Sequence, residues 1–259
     1  MTIVGRVVQL FRYPVKSMRG ESLTRVDVTD LGFEGDRGFG VFDVSTGRLL
    51  SAKTVPELLE ARAVLQPDGH AGLTITGGQT FSTNDNDAPR HLSTWLGRKV
   101  VIGRPVPNQK SSIDIEVDLS AKGGSEHDLF TFQSRPGLLF DGTPIHVLTT
   151  TSLATMEERT PTVNWLLERF RPNIVVALEA PDDPFPEDRW VGSILTIGEV
   201  TLDVHKRCDR CVLVTRSVDS APADREVLRS LHREHGGDLG IKATVATTGS
   251  IQVGDTVLV

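Results

Sequence analysis

Short apolar runs separated by turn residues recur along this chain and limit its fold more than any other feature. "GSILTIGEVTLDVHKR", residues 192–207, reads as strand, tight turn and strand, and "KATVATTGSIQVGDTVLV", residues 242–259, reads as two further strands joined by a turn. The start, "TIVGRVVQLFRYPV", is β-rich. Further on, Leu23, Val26 and Val28 precede the Gly-rich loop "LGFEGDRG", and "VSTGR" makes a turn before Leu49 and Leu50. No βαβ alternation is sustained, and neither a G-x-G-x-x-G nor a P-loop pattern occurs. The pattern predicts an α+β, mostly β chain, barrel-like rather than doubly wound.

A few helices are expected among the strands. Thr54 as N-cap and Pro56 in the first turn place one over "ELLEARAVL". "APRHLSTWLGRKV" gives a second, ending near Gly97. "PIHVLTTTSLATMEER" reads as strand then helix, and a helix through "NWLLERF" stops ahead of Pro172, which restricts the residue before it. "NIVVAL" is a buried-strand candidate. In "ADREVLRSLHREHGG" the apolar Val227, Leu228 and Leu231 are helically spaced and the glycine pair ends the run. The polar stretch from Pro105 to Gly137 reads as a linker or long surface connection, dividing the chain into regions 1–110 and 111–259.

Charge and cysteine content narrow the function. A net charge of −6, from 28 Lys+Arg against 34 Asp+Glu, argues against a general nucleic-acid binder, so any site for an anion must be local. No apolar run approaches bilayer length, and "MTIVGRVVQLFRYPVKS" reads as a strand rather than a signal peptide. A cytoplasmic protein without a membrane span is the expectation. Two cysteines, three residues apart, cannot frame a disulfide scaffold or hold a four-thiolate iron–sulfur cluster.

Those cysteines, Cys208 and Cys211, lie in "VHKRCDRCVLVT" beside Lys206, Arg207 and Arg210. A redox dithiol normally opens a helix, yet strand-like sequence lies on both sides here. A zinc site built from His205, Cys208 and Cys211, completed by His232 or His235, would set a dication among three cations. A third reading makes one cysteine a metal ligand while the cations hold an anionic cofactor. The plainest reading is two buried cysteines beneath solvated cations. The residues alone leave these open.

Three other segments join a turn to a cation. "YPVKSMRG" carries Lys16 and Ser17, "EGDRGFG" carries Arg37 beside Asp36, and "RFRPNIVV" carries Arg171 and Asn173 around Pro172. Each is also ordinary at a surface. Together with "CDRC" and the terminal "TGSIQVGDTVLV", however, and in this order, they resemble the MOSC family, closest to its two-part members, the amidoxime-reducing components and related bacterial proteins. The resemblance covers nearly the whole chain, with a MOSC N-terminal β-barrel region over 1–110 and a MOSC domain over 111–259.

The resemblance implies a molybdenum cofactor, a pterin dithiolene with a phosphate tail. It implies that Cys211 is the metal ligand and catalytic residue, and that Lys16, Ser17, Arg37, Arg171, Asn173, Asp209 and Arg210 bind the cofactor, with Asp141 of "FDGTPIHVL" a further contact. Cys208 gains no catalytic duty from it. Lys242 of "LGIKAT" departs from the family's pattern. A soft thiolate suits a metal already held by sulfur. The implied activity is reduction of N-hydroxylated compounds such as amidoximes, hydroxylamines and hydroxamic acids; the alternative is a carrier of the cofactor or of sulfur. With no flavin or nicotinamide fingerprint, and no ferredoxin domain after "VGDTVLV", electrons are expected from a separate flavin, iron–sulfur or haem protein.

Overall fold

The computed structural model describes residues 1–106, 108–118, 127–134, 139–140, 142–218 and 221–259. In chain order its elements are β1 (Ile3–Arg12), β2 (Glu21–Leu23), β3 (Arg25–Thr29), β4 (Gly32–Phe33), β5 (Gly40–Asp43), β6 (Arg62–Leu65), β7 (Ala71–Thr74), β8 (Thr80–Ser82), α1 (Ala88–Leu96), β9 (Val100–Gly103), β10 (Ser112–Asp118) and β11 (His127–Gln133). There follow β12 (Ile145–Thr149), α2 (Thr150–Arg159), β13 (Ile174–Leu178), β14 (Ile194–Ile197), β15 (Val200–Asp209), α3 (Glu226–His235), β16 (Asp238–Thr247), β17 (Gly249–Gln252) and β18 (Thr256–Leu258). The chain is mostly β, with α-helices only at α1, α2 and α3 among the described residues.

The centre is a closed barrel. Strands run β13-β12-β16-β15-β14-β18-β1, and β1 pairs back onto β13, which leaves no edge in the ring. Within this ring, β12 and β13 are the one parallel pair among the described strands. Alternation along β1 and β15 sends Val7, Leu202 and Val204 inward to meet Ile145, Val147, Ile174, Val176, Ile241 and Val257. The small sheets β6-β7-β8 and β5-β9, with α1, enclose a second core around Met18, Phe39, Leu58, Leu73 and Leu92. A third packs Met156, Trp165 and Phe170 against Val227 and Leu231 of α3.

The barrel's pairing decides where a site can form. β1 runs antiparallel to β13, β12 is parallel to β13, and β15 and β12 are both antiparallel to β16. The C-terminal end of β1 and the N-terminal ends of β12 and β13 therefore lie together, and Lys242 of β16 stands beside them, paired with His146 on one side and with Lys206 of β15 on the other. "YPVKS" follows β1, "RPN" precedes β13 and "CDRC" closes β15, and all three border one cavity together with Lys242.

Both α1 and α3 stop where expected, with Gly97 and Gly236 at φ 63° and 64° closing their C-termini. Three local expectations are corrected. "ELLEARAVL" is a 3₁₀ turn over Pro56–Glu60 followed by β6, because Ala61 and Ala63 are buried while Arg62 and Val64 are exposed, a period of two rather than 3.6. "NWLLERF" holds only a 3₁₀ turn, Leu167–Arg169; α2 has already ended at Arg159, two residues before Pro161. "VLVT" after the cysteines is a 3₁₀ turn, Val212–Thr215, with Cys211 as its N-cap residue, not a strand. Within the polar connection, β10 and β11 pair antiparallel.

Candidate functional site

The cavity these segments border has a volume of about 360 Å³. Its lining includes Lys16, Ser17, Arg37, Arg171, Asn173, Asp209, Arg210 and Cys211, every residue the family resemblance implies at the cofactor except Asp141, which lies outside the described residues. Four segments far apart in the chain thus meet in one hollow. Phe140, Phe170, Pro144 and Leu213 give it apolar walls, and Lys242, the position departing from the family pattern, is in the lining too.

Backbone conformation sets three of these residues. Ser17, Arg37 and Arg171 have φ of 68°, 50° and 52°, three of the four non-glycine residues with positive φ among those described. Such conformations cost about 1–3 kcal/mol each and persist where surrounding structure enforces them. Here the enforcement is visible. Arg37 N donates to Tyr13 O (2.8 Å) and Lys16 N to Phe39 O (2.9 Å), so the loop after β1 lies along the loop before β5. Ser17 Oγ accepts from Ala52 N (3.0 Å). Lys16 Nζ donates to Leu139 O (2.8 Å) and Arg171 Nη1 to Met18 O (2.7 Å), tying cations from different segments to neutral carbonyls.

Tyr13 is the wedge between two of these cations. The Arg171 guanidinium stands 4.2 Å and that of Arg37 4.8 Å from its ring centroid. Its hydroxyl donates to Pro172 O (3.0 Å), and burial pushes its pKa well up although both arginines pull the other way. Beneath it, buried Asp36 pairs with Arg37 and accepts from Asn173 Nδ2 (3.1 Å) and Tyr13 N (2.7 Å). Asn173 Oδ1 accepts from His146 N (3.2 Å). Asn173 is thereby a buried linchpin whose amide is largely consumed by protein partners.

The two cysteines are unequal. Cys208 is buried and accepts from Arg210 Nη1 (3.0 Å), whereas Cys211 is exposed at the cavity. Both are free thiols. The zinc reading finds no support: among the described residues no group of three His, Cys, Asp or Glu is arranged to hold a metal ion. His205 instead bonds Thr244 Oγ1 (2.7 Å), and His235 bonds Asp188 (2.9 Å). Nor do all three neighbouring cations face the site. Lys206 pairs with Asp209 (2.9 Å), and Arg207 with Asp188 and Asp238; only Arg210 turns into the cavity.

Asp209 also pairs with Lys242 (3.0 Å). Partial burial would raise its pKa, but the hydrogen bond from Lys206 and the charge of Lys242 outweigh that and hold the carboxyl well below its usual range. Arg210 Nη2 donates to Phe170 O (2.7 Å), while its buried Nε has no hydrogen-bond partner among the described residues.

Among titratable lining residues, sequence reasoning passed over Lys53 and His146. Lys53 gave no signal. His146 did: it is the one polar ring in "PIHVL", a strand buried at every position.

A β-barrel with a cation-lined cavity is the class this geometry defines, and the chain belongs to the MOSC family. The model of the MOSC N-terminal beta barrel domain matches residues 4–98 and that of the MOSC domain residues 134–258. Its relatives include the mitochondrial amidoxime reducing component 2 of Rattus norvegicus, 27% identical over 98% of this chain and 83% of that protein. That of Homo sapiens is 26% identical over the same shares. The molybdenum cofactor sulfurase of Caenorhabditis elegans is 28% identical over 87% of this chain but only 31% of its own length. Among solved structures, the YUAD protein from Bacillus subtilis aligns over 98% of this chain and 93% of that one, with a TM-score of 0.50 at 12% identity, a likeness of fold alone.

Proposed function

We propose that the cavity holds a molybdenum cofactor and that the protein reduces N-hydroxylated compounds such as amidoximes, hydroxylamines and hydroxamic acids. One observation carries this: residues expected at the cofactor from four separate segments line a single cavity, with the exposed thiol of Cys211 among them. The residues fit an anionic, sulfur-ligated group. Ser17, Arg37 and Arg171 are held in costly conformations around the hollow, and the buried Nε of Arg210 has a donor to spare. Lys16, Ser17, Arg37, Arg171, Asn173, Asp209 and Arg210 would hold the pterin and its phosphate, Cys211 would ligate the metal, and Asp141 is retained as a further contact. When bound, the group supplies the two-electron redox centre; the protein binds, orients and electrostatically tunes it.

Reduction breaks the N–O bond, and the oxygen leaves as water after uptake of two electrons and two protons. The electrons come from a separate donor protein. The relatives named amidoxime reducing component favour this reading. The relative named molybdenum cofactor sulfurase favours a second, in which the chain carries the cofactor, or sulfur on Cys211, without turnover.

Protein purified from a host that makes molybdopterin is expected to contain molybdenum, to lose it in Cys211→Ala and to keep it in Cys208→Ala. Molybdenum loss in Cys208→Ala alone would reverse the assignment of the cysteines. Normal loading without reduction of benzamidoxime by an artificial electron donor selects the carrier reading. Stoichiometric zinc without molybdenum defeats both.

A further inference from the structure

We infer that His146 is a positioning residue of this cavity: its imidazole accepts from Arg210 and holds that guanidinium toward an anion bound in the hollow. The inference rests on the reading that the cavity takes an anionic group. His146 belongs to β12, is buried, and lies in the cavity lining between the "RPN" and "CDRC" segments. Its Nε2 stands 3.4 Å from Arg210 Nη1 and 3.3 Å from Leu239 O, and its Nδ1 stands 3.5 Å from Arg171 O. With the proton on Nδ1, where Arg171 O receives it, Nε2 is the acceptor for Arg210; a proton on Nε2 would serve Leu239 O and turn a donor toward Arg210. One side chain thereby spans two cofactor-facing segments.

The surroundings keep the ring neutral, which leaves one nitrogen free to accept. Burial first, then the charge of Arg210, drives the imidazole pKa far down, with Lys242 adding to it, although Arg171 O and Leu239 O favour the charged form. The charged groups facing the ring are Arg210 from the end of β15 and Lys242 from β16; β13 and its approach offer Arg171 O and the amide of Asn173. Space is reserved as well. Gly240, at φ 78°, lies so close that a Cβ there would come 2.5 Å from Nε2.

Arg210 needs such a holder. Its other partners are Phe170 O and the thiol of Cys208, a weak acceptor, and it makes no ion pair among the described residues. Without the imidazole, the guanidinium keeps fewer restraints and an anion must order it on binding.

The test compares His146→Leu, which keeps bulk but removes the acceptor, with His146→Gln, whose amide reaches the Nε2 position. Two readouts are independent of turnover: affinity for inorganic phosphate followed by NMR titration, and molybdenum content after expression in a molybdopterin-producing host. His146→Leu is expected to bind phosphate about tenfold more weakly and to retain correspondingly less molybdenum, with His146→Gln recovering most of both. In an Arg210→Ala background, His146→Leu should add no further loss. Should the Leu variant fail to fold, Gln against the shorter Asn makes the same comparison. Wild-type affinity in the Leu variant, equal loss in Leu and Gln, or a full additional loss in the Arg210→Ala background each overturns the inference while leaving the cofactor reading intact. Wild-type protein that takes up neither phosphate nor molybdenum overturns both.

Discussion

Arg207 and Arg210 stand three residues apart and live in opposite electrostatic worlds. Arg207 leaves the outer face of β15 and meets two carboxylates, Asp188 at 3.4 Å and Asp238 at 3.3 Å, with His235 joining Asp188 from α3. Arg210 turns inward and meets a carbonyl, a thiol and an imidazole. The first cation is neutralised where it stands, and the second keeps a charge for something that enters the hollow. Arg169 sharpens the distinction. It too is held by neutral acceptors, but its donors reach the carbonyls of Asn164, Val214, Arg216 and Pro222, and it fastens the loop after the cysteines. A cation marks a site when its surroundings leave donors unspent.

The comparison is broken most severely by moving effects from one arginine to the other. Arg210→Ala is expected to abolish most molybdenum loading with little change in melting temperature, whereas Arg207→Ala should leave loading at the wild-type level. Elemental analysis beside thermal melts reads both, and loading that falls equally in the two variants would end the distinction.

Next in size is Gly240→Ala, which attacks the floor under His146. A Cβ at that position would stand 2.6 Å from Val147 O at a φ of 78°. Clash and backbone strain together should cost about 3 kcal/mol, read by chemical denaturation. A cost below about 1 kcal/mol would mean that β16 yields there and that the ring is not tightly housed.

The sequence made the barrel and most of the cavity legible for different reasons. Period-two alternation and turn residues are local signals, so the strand pair at 192–207 could be read directly, whereas 242–259, expected to hold two strands, carries the end of β16 and then β17 and β18. The gathering of "YPVKS", "RPN" and "CDRC" is not local; only the recurrence of the whole set in order suggested it. Failures came where tertiary contact decides. "ELLEARAVL" carries strong helix formers but supplies alternate residues to a small sheet, and "VLVT" has strand composition but turns at Cys211. His146 was visible as an odd polar residue, yet its partners Arg171, Arg210 and Leu239 lie 25, 64 and 93 residues away.

The smallest expected effect tests the neutralised side. His235 stacks on Phe185 with ring centroids 3.6 Å apart and bonds both Asp188 Oδ2 and Asp238 O at 2.9 Å. Burial opposes its charge, but the Asp188 and Asp238 bonds prevail and lift its pKa above 6.5. A raised folded pKa stabilises fully below the unfolded value and is lost as pH climbs through the folded one. Stability should therefore decline as pH rises from 6.5 through that value, and Asp188→Asn should flatten the decline while costing about 1 kcal/mol at pH 6. Denaturant titrations across this range measure it. An unchanged slope in Asp188→Asn would show that Asp188 does not set the charge of His235, and the outer cluster would then be packing around Phe185 rather than a clasp of opposite charges.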